Sequence, residues 1–195
     1  MRTKEGNKEK DILDAAVKVF AEYGYHKAKI SKVAEVANVA TGSVYVYFKN
    51  KEDILLRIFD NLWDQLFSDF KNVSDHVMMS PVQKLDSMID MVFNLFAENP
   101  SLAMVFVNEQ NHLMQMNQEE FTDKYDKFLN EGMKVVKEGI REKVFSDEID
   151  IKIFRSYIFG AIRNLLLHWA HDPKNYPLNK VSRNVKSLIK NGIIC

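Results

Sequence analysis

The segment from Lys29 to Glu52, KISKVAEVANVATGSVYVYFKNKE, restricts the possible folds of this chain more than any other part of it. Its first half repeats apolar residues at three- and four-residue steps, which predicts a short helix with one buried stripe. Asn38 then interrupts the pattern, and asparagine tolerates the left-handed backbone of a tight turn between helices. A second short helix follows, from about Thr41 to Tyr47, and we expect the Thr41 hydroxyl to cap it.

The second short helix has an outer face without acidic residues. We expect Val44 and Phe48 to point into the core. The outer face then carries Thr41, Gly42, Ser43, Tyr45 and Tyr47. Exposed helices usually carry Glu and Lys, whereas small and hydroxyl-bearing residues suit close approach to phosphates and base edges. The pattern predicts a helix-turn-helix whose second helix lies in the DNA major groove, with a buried connector helix as the alternative.

The same segment resembles the N-terminal DNA-binding signature of the TetR family of bacterial transcriptional repressors. The matching residues are Val33-Ala34, Ala37-Asn38-Val39, Gly42-Ser43-Val44-Tyr45, Tyr47-Phe48 and Lys51-Glu52. Three positions depart from the usual pattern: Ala28 replaces Thr or Ser, Asn38 replaces Gly and Ala40 replaces Ser. We therefore transfer no DNA contact to Ala28 or Ala40. Within the family, AEYGYHKAKISKVA and YFKNKEDIL look most like the repressors of fatty-acid degradation that respond to long-chain acyl-CoA.

The outer-face pattern and the resemblance together give an expected set of DNA contacts. Residues expected to enter or border the groove are Thr41, Gly42, Ser43, Tyr45 and Tyr47, and residues expected to hold phosphates are Lys29, Ser31, Lys49 and Lys51. Lys4, Lys8 and Lys10 form either an arm along the DNA backbone or a solvated terminus. The partner implied is double-stranded operator DNA.

Charge is divided unevenly along a chain whose net charge is zero. Residues 1–51 contain 10 Lys and Arg against 6 Asp and Glu, whereas residues 52–195 contain 17 against 21. A basic end on an acidic body favours binding of a polyanion through that end. We expect a helix-turn-helix DNA-binding domain over residues 1–51 and a ligand-binding and dimerisation domain over residues 52–195.

Helical signals continue to the end of the chain. With only 4 Pro and 7 Gly in 195 residues and no strand-like alternation, the sequence predicts an all-α fold. A first helix should end at Gly24 and bury Tyr23 in its apolar stripe. A long helix from Lys51 to about Phe70 should connect the two domains. Further start signals are Asn50, Ser80-Pro81 and Asp147 or Asp150.

The last two predicted helices favour a homodimer. The eighth, FRSYIFGAIRNLLLHWA, is apolar on more than one face, which indicates burial against both its own body and a second copy. The ninth repeats Leu178, Val181, Val185 and Leu188 at a spacing near 3.5. Helices eight and nine of two subunits would therefore form a four-helix bundle.

Phe and Met are concentrated in the middle of the chain, which suits either an ordinary aromatic core or a pocket for a large apolar ligand. The expected ligand-binding residues are Phe93, Phe96, Met104, Asn108, His112, Tyr125, Phe128 and Arg163. Asn108, Glu109 and His112 would fix a head group, and Arg163 with Asn164 would face the same cavity. The resemblance implies a hydrophobic effector such as acyl-CoA. The alternative is a regulator of drug efflux that responds to small aromatic or cationic ligands.

A metalloenzyme is the remaining alternative, with Glu109, His112, His168 and His171 as metal ligands. We find no phosphate loop, nucleophile elbow or catalytic carboxylate pair, so no enzyme activity, cofactor or bound metal is expected. No apolar run is long enough to span a membrane and no signal peptide is visible. Cys195 is the only cysteine, which excludes an internal disulfide and suits a cytoplasmic protein.

Overall fold

The computed structural model describes residues 8–115 and 119–194, without the side chains of residues 115 and 119–121, and the described residues form nine α-helices. They are α1 (Lys8–Tyr23), α2 (Ile30–Val36), α3 (Thr41–Tyr47), α4 (Lys51–Ser74), α5 (Pro81–Glu98), α6 (Pro100–Gln115), α7 (Glu119–Arg141), α8 (Ile151–His171) and α9 (Leu178–Ile193). Their only β-pairing is an isolated bridge between Phe145 and Ile194. The predicted all-α fold is confirmed. The expectations for Lys4 and Cys195 concern residues outside the described part.

Helices α1, α2 and α3 pack around a small apolar core. Val33, Val44 and Phe48 are almost completely buried there, as the pattern predicted. Gly24 ends α1 with φ 75°, and Asn38 takes the left-handed conformation expected between α2 and α3, with φ 54°. The prediction for Tyr23 was wrong, because this side chain is 44% exposed at the end of α1.

Three of the four helix starts that the sequence indicated use the expected side chains. Asn50 caps α4 by accepting a hydrogen bond from the Asp53 amide at 2.8 Å. Ser80 forms a reciprocal capping box at the start of α5, and the Asp150 carboxylate accepts from two amides of α8. The expected Thr41 cap is wrong. Ala40 occupies the capping position of α3 and Thr41 is already helical, so this helix begins without a side-chain cap.

Helix α4 joins the two ends of the molecule. Its 24 residues extend over about 36 Å at 1.5 Å per residue. Near its start, where α4 packs against α1, Ile54 and Leu55 are completely buried, and near its end Leu66 and Phe70 are buried in the body. The helix passes from the helix-turn-helix to the body without a loop.

A buried polar cluster holds the far end of α4. The Ser74 hydroxyl donates to Glu131 at 2.6 Å, and Glu131 is only 2% exposed. The Lys84 ammonium, only 3% exposed as a residue, donates to the Ser74 carbonyl and to both carboxylate oxygens of Glu138, each at 2.9 Å. Charged groups this deeply buried are tolerated only when they are paired. The cluster therefore attaches the end of α4 to α5 and α7.

Helices α8 and α9 leave apolar side chains outside the subunit core. Ile153 and Leu188 are each 70% exposed and Tyr157 is 63% exposed. Leu188 therefore lies outside the buried stripe of α9, which contains Val181 and Val185. None of the helices among the described residues is both long and apolar enough to cross a bilayer.

Replacing Lys84 with Met should lower the free energy of unfolding by about 3 kcal/mol, because Glu138 would keep its charge in a mostly buried site without a counterion. Chemical denaturation followed by circular dichroism measures the change. The double variant Lys84→Met/Glu138→Leu should recover most of the loss, since it removes both charges. Equal stabilities for the two variants would contradict the assigned ion pair.

Candidate DNA-binding surface and ligand cavity

The outer face of α3 is exposed in the folded subunit. Tyr45 is 55% exposed and Tyr47 is 42% exposed, and Thr41 and Gly42 are also exposed. Val46, which was not among the expected contacts, is 78% exposed beside the tyrosines. The alternative of a buried connector helix is therefore wrong, and α3 presents its outer residues to a partner.

Basic and hydroxyl side chains surround this face. Lys29, Ser31 and Lys49 are all exposed. Lys32 is paired with Glu35 at 2.6 Å on the exposed side of α2. Exposed ammonium groups thus lie at the start of α2 and two residues after the end of α3, where they suit contact with phosphates.

Lys51 has a role inside the protein. Its ammonium donates to the carbonyls of Tyr25, His26 and Ala28, at 2.6, 3.0 and 3.2 Å. It also lies 4.6 Å from the centre of the Tyr25 ring. An ammonium has three N–H donors, and all three are used. Lys51 therefore closes the α1–α2 turn, and we remove it from the expected phosphate contacts.

His112 contacts the DNA-binding end of the molecule. Its ring lies 5.5 Å from the Tyr25 ring and 5.4 Å from the His26 ring, both in the α1–α2 turn. Burial, followed by the charges of Glu52 and Glu109, raises the pKa of Tyr25, so its hydroxyl stays neutral at physiological pH. The end of α6 therefore forms a second junction between the body and the first three helices, where a ligand head group was expected.

A narrow apolar cavity lies between α4, α5, α7 and α8. Its volume is about 580 Å³, and part of this space is open to solvent. The residues lining it are Phe70, Leu85, Met88, Ile89, Val92, Phe128, Leu129, Gly132, Met133, Phe154, Arg155, Ile158, Phe159 and Ile162. Helix α4 contributes Phe70, which packs against Phe128 at 4.9 Å between ring centres.

Of the expected ligand-binding residues, only Phe128 lines this cavity. Phe96 packs instead against Phe106 at 5.0 Å, and Tyr125 packs against Phe159 at 5.1 Å. Burial also raises the pKa of Tyr125, so its hydroxyl remains protonated at neutral pH. Phe93 is buried elsewhere in the core, and Met104 does not reach the lining.

The polar residues expected at the cavity point elsewhere. Arg163 donates to the Val107 carbonyl at 2.7 Å, linking α8 to α6. Asn108 and Asn164 are exposed. Among the described lining residues, Arg155 alone carries a charge. Periodicity could not single it out, because the sequence does not show which face of α8 meets α7.

The proposed metal ligands do not form a site. His168 stacks on Tyr176 at 5.5 Å, whereas His112 packs against the α1–α2 turn. Within residues 8–114 and 122–194, no three His, Cys, Asp or Glu side chains are arranged to hold a metal ion. The metalloenzyme alternative is therefore not supported.

An exposed recognition helix without acids, joined by one long helix to a body with an apolar cavity, defines a DNA-binding transcriptional regulator with a separate ligand-sensing part. Residues 12–58 match the profile of the bacterial regulatory proteins of the tetR family. Residues 59–192 match the profile of the YsiA-like protein C-terminal region. The chain belongs to the TetR family.

Several relatives are similar over almost the whole chain. The fatty acid metabolism regulator protein of Bacillus subtilis (strain 168) is 35% identical over 185 residues, which cover 93% of each chain. The fatty acid degradation regulator FadR from Bacillus halodurans has a TM-score of 0.82 at 31% identity, covering 94% of this chain and 98% of that one. FadR from Bacillus subtilis, solved in complex with stearoyl-CoA, has a TM-score of 0.81 at 33% identity, with the same coverage.

Replacing Lys51 with Met should lower the free energy of unfolding by about 2 kcal/mol, because three carbonyls lose a charged donor. Lys49→Met is the matched control, since the Lys49 side chain is exposed two residues away and should leave stability unchanged. Thermal denaturation of the two variants compares them directly. If both melt like the wild type, Lys51 does not close the turn.

Proposed function

We propose that this protein is a homodimeric repressor that leaves its operator when a long-chain acyl-CoA binds in the cavity. The observation that carries the proposal is the position of Phe70, which lines the cavity and belongs to the helix that begins at the DNA-binding end. Any ligand that displaces Phe70 acts directly on α4. The complex of Bacillus subtilis FadR with stearoyl-CoA supports the choice of effector.

The chemistry of the cavity suits an acyl chain. Apart from Arg155, its lining consists of aliphatic, aromatic and methionine side chains and one glycine. Met88 and Met133 are flexible enough to adapt to a long hydrocarbon, and burial of each methylene contributes about 0.8 kcal/mol. The single charge in the lining is positive and offers an anion a hydrogen-bonding partner.

Two copies of α3 would read the operator. A two-fold dimer places its recognition helices about 34–36 Å apart, one turn of DNA, over a palindromic site. We propose that Thr41, Gly42, Ser43, Tyr45 and Tyr47 enter or border the groove and that Lys29, Ser31 and Lys49 hold phosphates. All of these residues except Ser43, which is partly buried, are exposed, and this exposure supports the assignment.

We propose that the dimer forms through α8 and α9. The exposed Ile153, Tyr157 and Leu188 lie on these helices, and a Cβ at Gly160 would meet no atom within 4 Å, so a second copy has room to approach closely. We also propose that the DNA-binding domain spans residues 1–51 and the ligand-binding and dimerisation domain residues 52–195. A regulator of chromosomal operators would work in the bacterial cytoplasm.

Ligand binding would favour a dimer with a different spacing between its recognition helices. A coupling free energy of about 1–3 kcal/mol between the cavity and the DNA would weaken operator binding about 5- to 150-fold. No new contact with DNA is needed, because loss of the one-turn spacing is sufficient.

Replacing Tyr47 with Ala should weaken operator binding by roughly tenfold, about 1.4 kcal/mol, because the recognition helix loses a groove contact. The side chain is 42% exposed, so the melting temperature should change little. Fluorescence anisotropy with a labelled operator measures the affinity. Operator binding by Tyr47→Ala at wild-type strength would contradict the proposed docking.

Replacing Lys49 with Met should weaken binding to operator and to random DNA equally, because a phosphate contact carries no sequence information. The slope of log K against log salt concentration should become smaller by about 1.

Replacing Ile158 with Trp should fill part of the cavity and block acyl ligands. The variant should bind operator like the wild type but stay bound when palmitoyl-CoA is added, whereas the wild type should be released. Val77→Trp is a suitable control, because Val77 is 91% exposed in the α4–α5 loop, and it should behave like the wild type. Release of Ile158→Trp at the wild-type concentration of palmitoyl-CoA would argue against this cavity as the effector site.

A further inference from the structure

Arg155 combines a charge with a position on an otherwise apolar cavity wall. It lies in the second turn of α8, and its side chain is 32% exposed, whereas most lining residues are buried. Ile158 and Phe159, one turn further along, are the other lining residues on α8 that are only partly buried. The cavity therefore opens toward solvent beside Arg155, and a ligand that fills it passes this guanidinium.

Two side chains of α7 contact Arg155, and both contact the same nitrogen, Nη1. Nη1 lies 3.2 Å from the Asp126 carboxylate and donates to the Asn130 side-chain oxygen at 3.2 Å. Within the described part of the chain, Nε and Nη2 have no hydrogen-bond partner in the protein. A guanidinium has five donors in a planar fork, and the edge that carries Nε and Nη2 can bind two oxygens of one anion side by side.

Asp126 contributes an opposing charge. Its side chain is 46% exposed, so it is solvated as well as paired. An anion on the open edge of Arg155 would lie within a few ångströms of this carboxylate and be repelled by it. Asp126 thus orients the guanidinium but weakens binding of the anion that the guanidinium attracts.

We propose that Arg155 is the residue that recognises the anionic group of the effector, and that Asp126 limits the affinity by competing for the same guanidinium. The inference rests on the proposed function and deepens it, because it assigns the chemical class of the ligand: an acyl chain with a carboxylate or phosphate close to the mouth of the cavity. Arg155 selects against neutral hydrocarbons, and Asp126 keeps binding reversible.

Four ligands with the same chain separate the possible anions: palmitate, palmitoyl-CoA, S-palmitoyl-4′-phosphopantetheine and neutral S-palmitoylpantetheine. Binding is measured by calorimetry with full-length protein. Arg155→Gln should weaken the recognised anionic ligand by about 10- to 100-fold, the loss expected for a charged hydrogen-bonding pair, and change binding of the neutral thioester less than about threefold. If Arg155→Gln weakens binding of palmitate alone, the group that Arg155 recognises is a carboxylate. If binding of both phosphorylated thioesters is weakened, the recognised group is the 4′-phosphate. If binding of palmitoyl-CoA alone is weakened, the recognised groups are the phosphates of the adenosine part.

Asp126→Asn provides the sharper test, because an asparagine oxygen can still accept from Nη1 while the negative charge is lost. This variant should bind the recognised anion about three- to tenfold more tightly and should release operator at a lower concentration. A gain in affinity cannot arise from misfolding. The matched controls are Asp123→Asn, which removes a nearby exposed charge from α7, and Lys152→Gln, which removes an exposed charge from α8. Both should bind like the wild type.

Equal effects of Arg155→Gln on neutral and anionic ligands, or no effect on either, would overturn the role of Arg155. If Asp126→Asn binds the anion no more tightly than Asp123→Asn does, Asp126 does not compete with the ligand for the Arg155 guanidinium. If the wild type binds none of the four ligands, the proposed function fails and this inference fails with it. If the wild type binds and is released from operator while Arg155→Gln is unaffected, only the inference fails.

Discussion

The continuity of α4 is the constraint on which the rest of the structure depends. A helix has one hydrogen-bonded backbone and little freedom to bend, so residues at its two ends move together. Ile54 and Leu55 anchor it in the core of the helix-turn-helix, and Phe70 forms part of the cavity wall. The DNA-binding end and the apolar cavity therefore share one rigid element, and a change of packing in one reaches the other without an intervening loop.

A second junction restricts how the helix-turn-helix can move relative to the body. The His112 ring packs on Tyr25 and His26, in the same turn whose carbonyls are held by Lys51. The turn is thus connected both to the first residue of α4 and to the end of α6. The DNA-binding end is therefore attached to the body through two helices, α4 and α6.

Local features of the sequence predicted much of this fold, and tertiary features could not be read from it. Asn38, Asn50 and Ser80 act through their own backbone neighbours, so their roles follow from short-range chemistry. The aromatic residues of the body were predicted to bind ligand because of their type. Which of them line a cavity depends on the helix crossings, and Phe96 differs from Phe128 only in that respect. Lys51 was misassigned for the same reason, since its partners are more than 20 residues away.

The buried cluster around Ser74 gives α4 the properties of a lever. Glu131 and Lys84 hold that end in the body. Phe70 lies four residues from Ser74, about 6 Å along the axis, whereas Lys51 lies about 35 Å away. If α4 tilted as a rigid rod about Ser74, a displacement of its axis of about 1 Å at Phe70 would become about 6 Å at Lys51. A ligand that tilted the axis by this amount would move the recognition helix by a large part of a groove width, whereas a ligand that only changed the Phe70 rotamer would not move it.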